Sequence, residues 1–199
     1  MTSGLRERKK LATRLALHEA ALRLVAERGL EHVSVDDIAE RADVSPRTFF
    51  NYFPSKDDAV LGLDPAASDS MAESLRTRPA RETPVQAMRA VAHEQAGQMA
   101  EESVLWPLRL RVIDAHPPLL ARLAATFGRA EQAMAAAIAE RTGAHPHDLY
   151  PLLLAGVAAA AMRSALHRWL AGDFTASLPD LVDEAWDVLA AGLPAPPSR

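Results

Sequence analysis

Several residues between positions 46 and 56 carry side chains suited to reading DNA. Arg47 can donate two hydrogen bonds to guanine, and Asn51 can pair with adenine. Thr48 and the ring of Phe50 can contact a thymine methyl group or a sugar. This chemistry predicts a surface that contacts double-stranded DNA. The full expected set of DNA-binding residues is Ser34, Ser45, Pro46, Arg47, Thr48, Phe50, Asn51, Tyr52 and Lys56.

Tyr52 and Lys56 suit phosphate groups better than bases. Lys56 follows Ser55, whose side chain can cap the start of a helix. At that position the unsatisfied N–H groups and the positive end of the helix dipole also favour a phosphate. We therefore expect these two residues to contact the DNA backbone.

The capping and turn residues of the preceding segment predict two short helices that would position these residues. Ser34 has the chemistry of an N-cap, and Asp37 stands three residues later, where a capping-box partner belongs. Ser45 caps the second helix and Pro46 takes its first position, where a missing N–H costs nothing. Asp43 occupies the turn between them, and Asp tolerates the left-handed region better than most residues. The arrangement is a helix-turn-helix, whose second helix lies in the major groove.

The second helix has two distinct faces. Val44, Phe49 and Phe53 recur at steps of five and four and would anchor it to a core, which directs the polar set outward. Short helix-turn-helix patterns also occur as purely structural elements, and helix spacing alone does not separate the two uses. Three N-caps and the ordered Phe-Pro-Ser-Lys segment that ends at Lys56 favour the DNA-binding one.

The string VSVDDIAERADVSPRTFFNYFPSKDDAV, within a match of roughly residues 8–62, resembles the DNA-binding signature of TetR-family regulators. The resemblance implies that Thr48 and Lys56 contact DNA, that Tyr52 contacts phosphate, and that Phe49 and Phe53 belong to the core.

Two residues depart from that signature. Asp43 replaces the usual glycine of the turn, which concerns local geometry only. Phe50 replaces a common tyrosine, so one possible phosphate contact through a hydroxyl is lost.

Charge and composition are compatible with this interpretation. Residues 1–60 carry ten basic and ten acidic side chains, so local placement rather than net charge must attract DNA. The sequence contains no cysteine, which excludes disulfides and thiolate chemistry, and its start lacks the apolar segment of a secretory signal. Helical spacing recurs while no long strand pattern occurs, so we expect an all-α chain in the cytoplasm.

We expect a helix-turn-helix DNA-binding domain at residues 1–62, a helical effector-binding and dimerisation domain at 63–193, and a disordered tail at 194–199. The apolar run Leu149–Met162 has about 14 residues, fewer than the ~20 that span a bilayer, and is predicted as a buried helix rather than a membrane segment. The helices predicted in the second domain are Ser68–Arg76, Pro84–Ala100, Val104–Ala115, Leu119–Arg141, Pro146–Ala171 and Leu178–Ala191.

The TetR resemblance implies a C-terminal ligand pocket and a homodimer that joins the last two long helices into a four-helix bundle. The small and apolar surface from Ala155 to Ala161, together with Leu181, Ala185, Val188 and Leu189, would suit a two-fold contact. A repressor released from a palindromic operator by a small, lipophilic effector is the implied function. The candidate pocket residues, each of which could equally be plain core, are Trp106, Leu110, Phe127, Met134 and Met162.

An enzyme is the alternative from a different functional class, but the second domain has few residues arranged for catalysis. Its histidines are scattered, and no catalytic residue, cofactor or metal is predicted. The one cluster to weigh is His145-Pro-His147-Asp148. Alternating histidines can bind a metal, but a linker that contains proline fixes a site poorly, so Asp148 is interpreted as an N-terminal helix charge.

Overall fold

The structure, a computed structural model, describes residues 3–64, 66–101 and 103–195. It is built of α-helices with two short 3-10 turns, at Leu30–His32 and Ser103–Leu105, and the described residues form no strand. The all-α prediction is confirmed. The helices are α1 (Ser3–Arg28), α2 (Val35–Arg41), α3 (Pro46–Phe50), α4 (Lys56–Leu61), α5 (Ala67–Thr77), α6 (Pro84–Glu101), α7 (Trp106–Ala115), α8 (Pro117–Thr142), α9 (Leu149–Ala171) and α10 (Leu178–Ala190).

The helices predicted for the C-terminal part lie within three residues of those observed. The predicted start at Val104 is corrected to Trp106, because Ser103–Leu105 forms a 3-10 turn. The predicted start at Pro146 is corrected to Leu149. The predicted disordered tail 194–199 lies mostly outside the described residues, which end at residue 195.

The chain divides into two compact units. The first combines Met1–Ala67 with Val104–Phe127, and the second combines Ser68–Ser103 with Gly128–Arg199. Helix α8 contributes to both units. The two units are defined by packing. The expected domain limits, 1–62 and 63–193, are defined by function and stay a prediction.

The first unit is organised around the buried side of α1. Leu17, Leu22 and Val25 lie on this side and are at most 1% exposed. Side chains of α2, α3 and α4 pack against them, and Val112 of α7 and Leu119 of α8 belong to the same core. The helix-turn-helix is thus held by one core that draws on both stretches of the first unit.

In the second unit, α10 packs against α6 and α9. Buried side chains on the facing surfaces include Met88 of α6, Trp169 of α9 and Trp186 of α10. Ion pairs border this packing, since Arg89 of α6 binds the Asp183 carboxylate at 2.7 Å. These ion pairs are partly exposed, so packing rather than charge holds the three helices together.

Candidate nucleic-acid interface

Helix α2 begins with the predicted capping box. The backbone N–H of Asp37 donates to Ser34 Oγ at 3.1 Å, and the Ser34 N–H donates to the Asp37 carboxylate at 2.8 Å. Hydrogen bonds from Ser34 lower the pKa of the exposed Asp37 carboxyl below its usual value. The side chain of Ser34 is therefore engaged in fixing the start of the helix.

The turn between α2 and α3 takes the conformation that its aspartate can tolerate. Asp43 has a φ of 54°, in the left-handed region. The N–H of Val44 then donates to the carbonyl of Ala39 at 2.9 Å, which closes the turn. Asp at this position thus takes over the role that glycine has in related signatures.

Helix α3 is shorter than its apolar spacing suggested, and Asn51 is its C-cap. Ser45 Oγ accepts the N–H of Thr48 at 3.1 Å and lies 2.8 Å from the Thr48 hydroxyl. Phe49 and Phe53 are fully buried, which confirms their predicted core positions. Both the cap and the core contacts fix the orientation of this single helical turn.

The opposite side of α3 and its C-terminal turn faces outward. Pro46, Arg47, Phe50 and Asn51 are exposed, and Phe50 is 57% exposed although it is a large apolar residue. Its ring rests edge-on against Phe49 at 5.3 Å between centroids. This side presents donors and an apolar surface that could enter a major groove.

A concavity of about 300 Å³ adjoins this surface. Lys9, Lys10 and Thr13 of α1 line it together with Asn51 and Tyr52. Two ammonium groups, a hydroxyl and a phenol are suited to a phosphate. The expected DNA-binding set did not include the three α1 residues. The sequence signal that could have identified this part of α1 is its run of basic residues, Arg8, Lys9 and Lys10.

Lys56 is placed differently from a purely phosphate-binding lysine. Its side chain is half-buried, and Nζ donates to the carbonyls of Leu30 at 2.7 Å and Val33 at 3.0 Å. Two of the three N–H groups of the ammonium thus hold the turn between α1 and α2.

A buried histidine fixes the other end of α4. His18 of α1 is 1% exposed, and its Nδ1–H donates to the carbonyl of Ala59 at 2.7 Å. Burial, reinforced by the nearby positive charge of Arg109, lowers the pKa of His18 to about 4. Gly62 ends α4 with a φ of 64° and packs against the imidazole, where an added Cβ would lie 2.9 Å from His18 Cε1.

The five candidate ligand residues divide between the two units. Trp106 is buried, and its ring centroid lies 4.7 Å from Cζ of Arg109. Leu110 and Phe127, also in the first unit, are exposed. Met134 is buried in the second unit, where Met162 is half-buried.

A second concavity, of about 460 Å³, lies on α9 between Ala160 and His167. Neither this concavity nor the one beside α3 is lined by any of the five candidate ligand residues. Their assignment to a ligand therefore stays a prediction.

Helix α9 is long and apolar enough to cross a membrane by length and composition alone. Its packing against α6 and α10 buries one side, including Leu154 and Trp169. The other side is more open than a buried helix would be, because Leu149 is 76% exposed and Leu153 is 57% exposed. His167, near the end of this helix, is also exposed.

The histidine pair before α9 does not form a metal cluster. No group of three potential ligands suited to a metal occurs among the described residues. Asp148 stands at the N-cap of α9, but its carboxylate accepts the N–H of His145 at 2.9 Å rather than an N–H of the helix. The aspartate thus stabilises the turn that leads into the helix.

Comparison with known proteins agrees with this geometry. Residues 17–61 match the domain described as "Bacterial regulatory proteins, tetR family", and residues 82–194 match the "MftR C-terminal domain". The regulator TcmR of Streptomyces glaucescens is 33% identical over 173 residues, which cover 83% of this chain and 76% of TcmR. The mycofactocin biosynthesis regulator MftR of Mycobacterium tuberculosis is 29% identical over 186 residues, covering 94% and 93% of the two chains.

Solved structures share the fold at lower identity. The SmeT–triclosan complex has a TM-score of 0.59 and 20% identity, and covers 94% of this chain and all of SmeT. FadR of Bacillus subtilis in complex with stearoyl-CoA has a TM-score of 0.57 and 18% identity, and covers 89% and 98%. The named relatives are transcriptional regulators rather than enzymes. From its capped helix-turn-helix to its C-terminal helices, the chain belongs to the TetR family of transcriptional regulators.

Proposed function

We propose that this chain is a homodimeric, cytoplasmic repressor that binds a palindromic operator and is released from it by a small lipophilic ligand. The exposed side of α3 carries the proposal. A helix held by an N-cap and two buried phenylalanines, with Arg47 and Asn51 directed outward, is suited to reading base edges.

Specificity and affinity would come from different residues. Arg47 would recognise guanine, Asn51 adenine, and Thr48 with Phe50 a thymine methyl group. Tyr52 with Lys9 and Lys10 would contact the backbone through the concavity beside α3. Lys56, Ser34 and Ser45 would act from helix N-termini, where their own contacts also fix the helices.

The open side of α9 supports dimerisation. The exposed leucines at its N-terminal end and Val188 of α10, which is 43% exposed, form apolar surface that a second copy would cover. A two-fold dimer also suits the function, because two recognition helices about 34–36 Å apart read the half-sites of a palindrome.

A lipophilic ligand is the proposed effector. Proteins of the same fold have been seen with triclosan and with stearoyl-CoA. The candidate wall residues Trp106, Leu110, Phe127, Met134 and Met162 are large or adaptable apolar side chains. Such a ligand would release DNA only to the extent that it prefers the conformer with low operator affinity.

Selection of genomic DNA fragments by the purified protein at two salt concentrations tests the DNA-binding part. We expect a palindromic sequence to be enriched, with affinity falling steeply as salt rises. Arg47→Ala should relax the preference at one base pair per half-site by about 1–3 kcal/mol. Arg81→Ala, which removes an exposed arginine of the second unit, is the matched control. It should change neither the base-pair preference nor the salt dependence of the affinity. No enrichment at either salt concentration would leave the helix-turn-helix as a structural element.

The recovered operator then tests the effector part. Binding of the operator is measured with and without stearoyl-CoA or triclosan at saturating concentration. A weaker operator affinity in the presence of either compound is the expected result. A compound shown to bind that leaves operator affinity unchanged would contradict release by this ligand class, while the DNA-binding proposal would stand.

A further inference from the structure

The segments on either side of the helix-turn-helix receive two polar contacts from a stretch of chain that the sequence signature does not include. The stretch Val104–Phe127 belongs to the first compact unit, and its Leu119 is fully buried in the same core as α1. Beyond this apolar packing, His116 forms a hydrogen bond with Leu30, just before the helix-turn-helix, and Arg122 binds Asp58 of α4, just after it.

Arg122 of α8 binds the start of α4. Its Nε and Nη2 donate to the two carboxylate oxygens of Asp58 at 2.7 and 2.6 Å, in a two-point contact. The Asp58 side chain is 9% exposed, and its carboxylate also accepts the Ser55 hydroxyl at 2.7 Å. Because Ser55 is the N-cap of α4, the guanidinium is joined to the cap through one shared carboxylate.

His116 binds the turn between α1 and α2. Its Nε2 accepts the N–H of Leu30 at 3.3 Å, while Nδ1–H donates to the carbonyl of Val112 at 2.8 Å. The second bond places the ring proton on Nδ1 and leaves Nε2 as the acceptor. The carbonyl of the same Leu30 accepts a hydrogen bond from Nζ of Lys56, so both the N–H and the carbonyl of this residue are hydrogen-bonded.

The two contacts meet at one place in the unit. Arg122 holds the cap from which Lys56 extends, and Lys56 joins His116 in holding the turn at Leu30. That turn leads directly to Ser34, the N-cap of α2. The α7–α8 segment thereby fixes both the entry to the helix-turn-helix and the helix that follows it.

We propose that Arg122 and His116 are positioning residues for DNA binding, which hold α2, α3 and α4 in the relative orientation that fits DNA without contacting it themselves. This inference rests on the proposed DNA-binding function. It adds two residues, 56 and 62 positions beyond the end of the signature at Val60, to the set on which operator affinity depends.

The test compares operator affinity, its salt dependence and urea stability for the full-length wild-type protein and for Arg122→Gln. We expect Arg122→Gln to bind about tenfold more weakly with an unchanged salt slope, because orientation is lost but no phosphate contact is. Arg122→Lys should recover part of the affinity, since it keeps the charge but not the two-point contact. Arg168→Gln removes an exposed ion pair with Glu184 in the second unit and should have no effect on affinity.

Two outcomes for a folded Arg122→Gln protein would overturn the inference. Wild-type affinity with a lower urea midpoint would show a role in stability alone. Weaker affinity with a salt slope reduced by about one would show direct phosphate contact instead of positioning. A wild-type protein that binds no duplex would instead overturn the proposed function, so the two failures are distinguishable.

Two variants of His116 provide a second test of the positioning role, which applies if Arg122→Gln does not fold. His116→Ala removes the acceptor for Leu30, and His116→Gln restores an acceptor oxygen. Weaker operator binding by the alanine variant with recovery by the glutamine variant, both folded, supports the inference. Equal affinity of the alanine variant and the wild-type protein overturns it.

Discussion

The buried histidine of α1 makes a specific prediction about pH. His18 is 1% exposed, and its pKa falls from 6.5 to about 4 on folding. Between these values the unfolded chain binds a proton that the folded chain rejects. Stability from this site is therefore fully present above pH 6.5, falls as pH is lowered through this window, and is lost near pH 4.

The magnitude follows from the same two values. A change of one in pKa corresponds to about 1.36 kcal/mol, so the difference between 6.5 and about 4 corresponds to about 3 kcal/mol. Other groups also titrate in this range, and the comparison must remove their contribution. The His18→Asn variant does so, because it keeps a donor for the Ala59 carbonyl but cannot titrate.

Urea unfolding of the wild-type protein and of His18→Asn, at fixed protein concentration from pH 7.5 to pH 4, is the assay. The variant has a smaller side chain and loses packing at every pH, so its cavity penalty drops out of the pH slope. We expect the wild-type advantage to shrink by about 3 kcal/mol across the range.

A wild-type advantage that is constant from pH 7.5 to pH 4 would refute the reasoning. It would mean that His18 is protonated in the folded protein as readily as in the unfolded chain. The buried position and the nearby charge of Arg109 would then not act on it as the structure indicates.

Two further predictions concern the same unit. Gly62→Ala should destabilise the protein by about 1–2 kcal/mol or more, because φ is 64° and the new Cβ would meet the imidazole of His18 at 2.9 Å; a urea midpoint equal to that of the wild-type protein would contradict this. Leu119→Ala should cost about 2–5 kcal/mol in urea unfolding, since the side chain is fully buried, with Leu120→Ala, 57% exposed, as the nearly neutral control. Equal losses for the two leucines would show that Leu119 is not part of the core.

The geometry of the helix-turn-helix could be predicted from local chemistry. Ser34 and Ser45 cap the helices that they were expected to cap, and Phe49 and Phe53 are buried as their spacing indicated. Asp43 lies in the left-handed region that the turn requires. These features depend on residues within a few positions of one another, so the sequence contains nearly all the information that determines them.

The partners of Lys56 and Asp58 could not be predicted in this way. A lysine at a helix start is compatible with phosphate, and only the folded chain shows that it binds the carbonyls of Leu30 and Val33. The bond from Arg122 to Asp58 joins residues 64 positions apart, and no local pattern indicates such a pair.

The sequence by itself therefore determined the approximate extent of the helices, the serine caps of α2, α3 and α4 and the buried phenylalanines, because propensity, capping and periodicity act over one or two turns. Only the tertiary structure decided which groups a helix end meets. It brought the α7–α8 segment into the core of the helix-turn-helix and placed His18 beside Gly62. Contacts of this kind depend on how the whole chain satisfies its buried polar groups at once, and that is a property of the fold rather than of any segment.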